Sequence, residues 1–219
     1  MDRNLKIALI IGAIVAAVVG YVLYQGGDDV PAAGGPDAAD QSELLTPEAR
    51  MLSDAENTDV AFVEFLDFEC PGCASLYPLV EDLRQEYGDR LDFAIRYLPL
   101  DMHPNAVPAA AAVEAAHRIG DHDAFLRMYQ LMFSNQSVWA GEDDPDEIFR
   151  GYAREIGLDV EEFDRLRGSE QVLGVVNRSG AQAAEIGVEG TPTMFLDGER
   201  LDPESEADLR ASLDEAVAR

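Results

Sequence analysis

Hydrophobic positions along this chain change period several times, and each change marks a predicted element. Val60 to Phe68 is nearly continuous in apolar side chains. Such a run predicts a central strand buried on both faces. Leu91 to Leu98 alternates more clearly and predicts a second strand, with a helix-like run from Ser75 to Tyr87 between them. The strand–helix–strand order implies a right-handed parallel crossover.

From Pro104 to about Arg167 the pattern turns helical. Asn105 to Ile119 is alanine-rich and stops at Gly120. Asp121 is placed to cap a segment carrying Phe125, Met128, Leu131 and Met132. Pro145 opens a helix with Ile148, Phe149 and Tyr152 at helical spacing, Val160 to Leu166 makes a shorter one, and Ser169 to Ile186 a longer one. Thr193 to Leu196, the pair Asp197-Gly198, and Glu199 to Leu201 read as a hairpin. Asp202-Pro203 is expected to cap a last helix carrying Leu209, Leu213 and Val217. Thr46-Pro47-Glu48 is expected to open a short helix upstream of the first strand.

Ile7 to Tyr24 forms 18 uncharged, mostly apolar positions. As a helix they span roughly 27 Å, close to the hydrocarbon thickness of a bilayer. Arg3 and Lys6 precede the run, and Asp28 and Asp29 follow it, so the basic end stays in the cytoplasm and the rest is translocated. The rival is a cleaved signal peptide, with Val30-Pro31-Ala32 as the cleavage region. Its apolar core is usually only about 7–15 residues, shorter than this one. Gln25 to Gln41 is rich in Gly, Pro, Ala and Asp and reads as a flexible linker. The expected layout is a transmembrane signal-anchor at 1–27, a linker at 28–42 and an α/β domain at 43–219, with a helical insertion at about 103–168. The expected location is the cell membrane, single-pass, with the domain on the extracytoplasmic side.

Charge narrows the partners. The chain has 43 acidic and 16 basic residues, a net charge of -27. That surface repels nucleic acid and anionic headgroups, and it serves solubility.

The only two cysteines stand together as Cys70-Pro71-Gly72-Cys73, at the predicted strand-to-helix junction. The helix N-terminus favours a thiolate on Cys70, and Cys73 lies within reach to close a small disulfide ring. Pro71 and Gly72 fix the turn. A structural zinc site needs two more ligands, and His103, His117 and His122 lack finger-like spacing. An inert disulfide of so short a loop gains little by closure. Reversible thiol–disulfide chemistry is the reading the spacing favours. Phe68 or Glu69, beside Cys70, is a candidate to modulate it from outside. The three histidines carry no motif, and Trp139 reads as core or lid of the insertion.

These residues together resemble DsbA-type thiol–disulfide oxidoreductases, thioredoxin-fold proteins with an inserted helical subdomain. Four features over about 43–219 carry the resemblance: the Cys70–Cys73 motif after the strand, Glu64 six residues before Cys70, Pro78 eight after it, and Gly190-Thr191-Pro192-Thr193. The resemblance implies a central mixed sheet flanked by helices. It implies that Cys70 is the attacked sulfur and Cys73 the buried resolving thiol. It implies that Glu64 is a buried acid serving Cys73 as a proton acceptor, against the alternative of a solvated, edge-facing glutamate. It also implies that Pro192 is a cis-proline facing the disulfide, with the Thr191 backbone presented to substrate. No bound cofactor or metal is needed. Expected partners are reduced or unfolded secreted proteins, a membrane quinone-linked thiol oxidase, and the membrane itself through the N-terminal helix; nucleic acid is not among them. Cys-Pro-Gly-Cys departs from the Cys-Pro-His-Cys of the best-known members, so the histidine that helps stabilise their thiolate is absent. Disulfide donation is the expected activity; a reductase or isomerase of the same fold, or a tethered redox-sensing chaperone module, is the alternative.

Overall fold

The computed structural model describes residues 37–56 and 58–219. The expected membrane anchor and most of the expected linker lie outside these residues. Among the described residues no helix is long and apolar enough to cross a membrane.

The sheet has five strands in the order β1-β3-β2-β4-β5. They are β1 (Arg50–Ser53), β2 (Ala61–Leu66), β3 (Asp92–Tyr97), β4 (Thr193–Leu196) and β5 (Glu199–Leu201). β2 runs parallel to β3 and antiparallel to β4, so it has a neighbour on each side and every residue is buried. This bears out the continuous apolar run. Helix α2 (Pro71–Tyr87) makes the crossover between β2 and β3. At the β4–β5 turn Asp197 has φ 52° and Gly198 φ 85°. Two successive positive φ values match the sheet's twist, as the Asp-Gly pair predicts.

The helical insertion follows β3: α3 (Ala106–Ile119), α4 (His122–Ser134), α5 (Gln136–Trp139), α6 (Asp146–Glu155) and α7 (Val160–Arg167). Asp121 caps α4 by accepting the Ala124 N–H. Phe125, Met128, Met132 and Trp139 are fully buried in it, and the indole of Trp139 packs edge-on against Phe149. Helix α8 (Glu170–Glu185) returns the chain to the sheet, and α9 (Glu206–Val217) closes it.

Strand parity divides the core. Phe62 and Leu66 face α2 and the insertion, whereas Ala61, Val63 and Phe65 pack with Leu44, Ala183 and Phe195 on the opposite face. On that second face lies Arg96 of β3, with no exposure. Its guanidinium donates to the carbonyls of Glu43 and Leu44 at 2.9 and 2.8 Å and to Gln182 Oε1 at 2.5 Å. One buried arginine thus ties the short N-terminal helix α1 (Gln41–Leu44) and α8 to the sheet.

Three sequence expectations need correction. No helix forms at Thr46-Pro47-Glu48, which is a turn leading into β1, an unforeseen strand that pairs antiparallel with β3. The linker expected to reach residue 42 gives way to structure sooner: Ala38 bridges to Glu199, and Asp40 caps α1 through a capping box with Glu43. The last helix is capped by Ser205 rather than Asp202-Pro203.

Candidate active site

The end of β2 and the start of α2 build the site. Cys70 is the N-cap of α2, in an extended conformation (φ -68°, ψ 122°), and Pro71 stands at the first turn, where a missing N–H costs nothing. Both cysteines are free thiols. Cys70 keeps 8% exposure and Cys73 none, which gives them unequal access to any partner. Pro78 lies inside α2.

The two thiols sit in opposite electrostatic settings. The Cys73 thiol, as hydrogen-bond partner, is foremost in favouring the Cys70 thiolate; the Thr191 side chain and the N–H groups of Cys73 and Gly72 add to it. Together they outweigh partial burial and lower its pKa from 9.0 to about 5. Cys73 is pushed the other way, by its hydrogen bond to the Cys70 sulfur, by burial and by the nearby Glu64. One sulfur is therefore ready to carry charge at neutral pH, while the other holds its proton.

Glu64 lies on the same face of β2 as Phe62 and Leu66, with 2% exposure, flanked by Ile95 of β3 and Met194 of β4. The solvated, edge-facing alternative is therefore excluded. Among the described residues nothing donates a hydrogen bond to it. Burial, and secondarily the charge of Cys70, raises its pKa from 4.5 to about 8. A carboxyl so placed is mostly protonated at neutral pH and is close enough to Cys73 for its charge to help raise that thiol.

The wall opposite is the loop before β4. The Thr191–Pro192 bond is cis. Cys70 Sγ lies 3.5 Å from the Thr191 carbonyl oxygen. The Thr191 hydroxyl is buried, without a hydrogen-bond partner in good geometry, though near enough to Cys70 to favour the thiolate. Gly72 approaches the same wall: a Cβ there would stand 3.2 Å from Pro192 Cδ and 3.5 Å from Cys70 Sγ. Beyond it opens a groove of about 480 Å³, whose apolar lining includes Leu76, Leu79, Met194, Leu201 and Leu209.

Phe68 and Glu69 do not modulate Cys70 from outside. Phe68 is buried and packs on Phe133 at 4.9 Å. Glu69, 5% exposed, turns into the insertion, where it accepts the N–H of Asn105 at 2.5 Å and of Gly141 at 2.8 Å. His103 likewise has a role that its sequence context did not suggest. Its Nδ1 lies 2.7 Å from Asp67 Oδ2, and Asp67 also accepts the N–H groups of Leu100 and Glu69. Burial nonetheless leaves the Asp67 carboxyl raised. His117 and His122 both pack on the Phe125 ring, and among the described residues neither joins a cluster able to hold a metal. Met102, at 77% exposure, and Val138, at 53%, are exposed apolar side chains on the two segments that converge at Glu69.

Solved structures share this architecture. BdbD from Bacillus subtilis in its oxidised form matches with a TM-score of 0.70 and 15% identity, over 84% of this chain and 98% of that one. The thiol–disulfide exchange protein alpha-DsbA2 from Wolbachia pipientis gives 0.67 and 22%, over 80% and 90%. A thioredoxin-like oxidoreductase from Silicibacter pomeroyi DSS-3 gives 0.64 and 25%, over 83% and 99%. Among curated proteins, a Na(+)/H(+) antiporter NhaA from Herminiimonas arsenicoxydans is 31% identical over 205 residues, 92% of this chain. This chain spans only 31% of that protein's length, and 23% of NhaA 1 from Salinispora arenicola. With the thioredoxin architecture in place around the two thiols, the family model described as Thioredoxin matches residues 48–215, and the chain belongs to that family.

Proposed function

We propose that this chain is an extracytoplasmic protein disulfide oxidoreductase that donates the Cys70–Cys73 disulfide to reduced, translocated proteins. The observation that carries the reading is the opposition of the two thiols at one helix end, with Cys70 held near pKa 5 and Cys73 raised. In the oxidised enzyme a substrate thiolate attacks Cys70 Sγ. The Cys70–Cys73 bond breaks, a mixed disulfide forms, and the electron pair leaves on Cys73, which takes a proton from Glu64. A second substrate thiolate then attacks the substrate sulfur of the mixed disulfide. The substrate disulfide forms and Cys70 departs as a thiolate, a good leaving group because its pKa is low.

Substrate docking has a surface to match. The Thr191 backbone beside Cys70 suits an extended chain pairing edge-on. The adjoining groove accepts an apolar side chain next to the reacting cysteine. Exposed Met102 and Val138 add apolar contact near the site. Reoxidation falls to a membrane thiol oxidase that passes two electrons to a quinone, and the apolar run at Ile7 to Tyr24 keeps the domain beside it. The antiport named for the curated relatives is not proposed for this chain, which spans less than a third of them.

Two measurements test the reading. The oxidised chain should convert a reduced, unfolded protein to its disulfide form, and Cys70→Ser should abolish this. A reduction potential as low as thioredoxin's, about -270 mV, would instead make it a reductase. Full-length protein should fractionate with membranes and resist carbonate extraction. A soluble mature form beginning near Ala33 would instead identify a cleaved signal.

A further inference from the structure

The active-site turn is held from the helical insertion by one side-chain amide. Gln136, first residue of α5, donates from Nε2 to the carbonyl of Phe68 at 2.8 Å and to that of Cys70 at 2.9 Å. Only the NH2 end of an amide can serve two acceptors by donation, so the group's orientation is fixed. The Cys70 carbonyl already accepts the first helical bond, from Ala74 N at 3.1 Å, and Gln136 fills its second lone pair. The Phe68 carbonyl has no other partner among the described residues. Glu69, between the two, is held by Asn105 and Gly141, also from the insertion side. The turn that presents the nucleophile is thus fastened at three successive residues by groups distant in sequence.

We propose that Gln136 is a positioning residue for Cys70, holding the strand-to-helix turn and setting the positive end of its amide dipole against the turn that carries the sulfur. Two effects follow from the one contact. The turn is fixed so that Sγ stays over the N–H groups of Gly72 and Cys73. The carbonyl dipoles at Phe68 and Cys70, whose negative ends oppose a nearby thiolate, are compensated by the amide hydrogens. The inference rests on the oxidoreductase reading only in taking Cys70 as the reacting sulfur.

The test is a series at one position, read as the Cys70 pKa from thiolate absorbance near 240 nm. Gln136→Leu keeps bulk and removes both donors. Gln136→Lys keeps donation and adds a full positive charge at a half-buried position. The other titratable groups around the sulfur, Cys73, Glu64, Glu69 and the Asp67–His103 pair, are the same in every variant. The expected order of Cys70 pKa is Leu above Gln above Lys. Leu should raise it by about one unit, a tenfold drop in the thiolate-to-thiol ratio at a given pH and roughly 30 mV in potential. A role that is only structural moves both variants the same way. Leu at or below the native value, or Lys at or above it, overturns the proposal. If Gln136→Leu does not fold, the comparison of Lys with the native chain decides alone. Turnover on a reduced protein is measured beside it: loss of turnover in the native chain bears on the oxidoreductase reading, not on the pKa order.

Discussion

Cys70 Sγ lies 3.5 Å from the carbonyl oxygen of Thr191, a residue 121 positions further along the chain. The contact joins the two halves of the site. β2 delivers the sulfur at its C-terminal end, and the loop before β4 delivers the wall, because β2 and β4 are neighbours in the sheet. On this wall Cys70 keeps 8% exposure, whereas Cys73 behind it has none.

Unequal access predicts unequal trapping. Cys73→Ser should accumulate mixed disulfides through Cys70, since the internal thiol that would displace the partner is gone. Cys70→Ser should trap almost none, because the remaining thiol is buried and protonated at neutral pH. Non-reducing gels of cells expressing each variant read the difference. Equal trapping by both would mean that the assignment of roles is wrong.

Glu64 predicts a stability that depends on pH. Its carboxyl titrates near 8 in the folded chain and at 4.5 when ordinary. The folded state therefore binds a proton that the unfolded state has released. The carboxyl costs nothing below pH 4.5, and its penalty grows until pH 8. For the reduced protein, Glu64→Gln should gain on wild type by about 2–3 kcal/mol between pH 5 and pH 7. Urea midpoints at the two pH values measure the change in the gap, and any constant cost of burying the amide cancels. A gap that stays flat would place Glu64 in contact with water. The same variant should slow the step that protonates Cys73.

The parts of this fold that were legible in sequence are those set by local pattern. The buried strand β2, the crossover helix, the cap at Asp121 and the Asp-Gly hairpin each follow from a few adjacent residues. The Cys70–Cys73 pair and Pro192 were found by motif. What escaped was set by partners far along the chain. Glu69 looked exposed because its acceptor role is met by Asn105 and Gly141. His103 looked idle because Asp67 lies 36 residues away. Gln136 reaches back 66 and 68 residues, and a glutamine at a helix start carries no signal of that. A weaker signal did exist. Glu64, Arg96 and Glu114 are charges within apolar stretches, and all three are buried. Strand β1 was missed because its four residues, Arg50 to Ser53, are too few to show a period.

Glu114 illustrates what such a charge holds. It sits without exposure in the alanine-rich α3 and accepts Arg50 at 2.6 and 2.9 Å and Arg118 at 2.8 Å. Arg50 belongs to β1, so the carboxylate joins the sheet's edge to the insertion. Glu114→Ala should cost about 3–5 kcal/mol, because it leaves the Arg50 guanidinium buried without its counter-charge. The paired change Arg50→Met with Glu114→Leu should recover most of that loss. Chemical denaturation with an unchanged slope checks both. If the double variant is as unstable as the single one, the bridge itself stabilises beyond the cost of an orphaned charge.

The low pKa of Cys70 links acidity to the direction of electron flow. The folded thiol titrates near 5 against an ordinary 9.0. Because the folded value is depressed, the contribution to the reduced protein's stability is complete above pH 9 and is lost as pH falls through 5. At pH 7 two units of it remain, about 2.7 kcal/mol. Only the reduced form has this thiolate, so the same energy moves the couple roughly 60 mV toward the oxidising side. The difference in stability between reduced and oxidised protein should therefore shift against the reduced form by about 2.7 kcal/mol between pH 7 and pH 4. The comparison is made in the Glu64→Gln background, where the neighbouring carboxyl no longer titrates. Denaturant midpoints of both forms across that range give the slope directly. A difference that does not move with pH would mean an ordinary thiol at Cys70, and with it a chain suited to reducing disulfides rather than donating them.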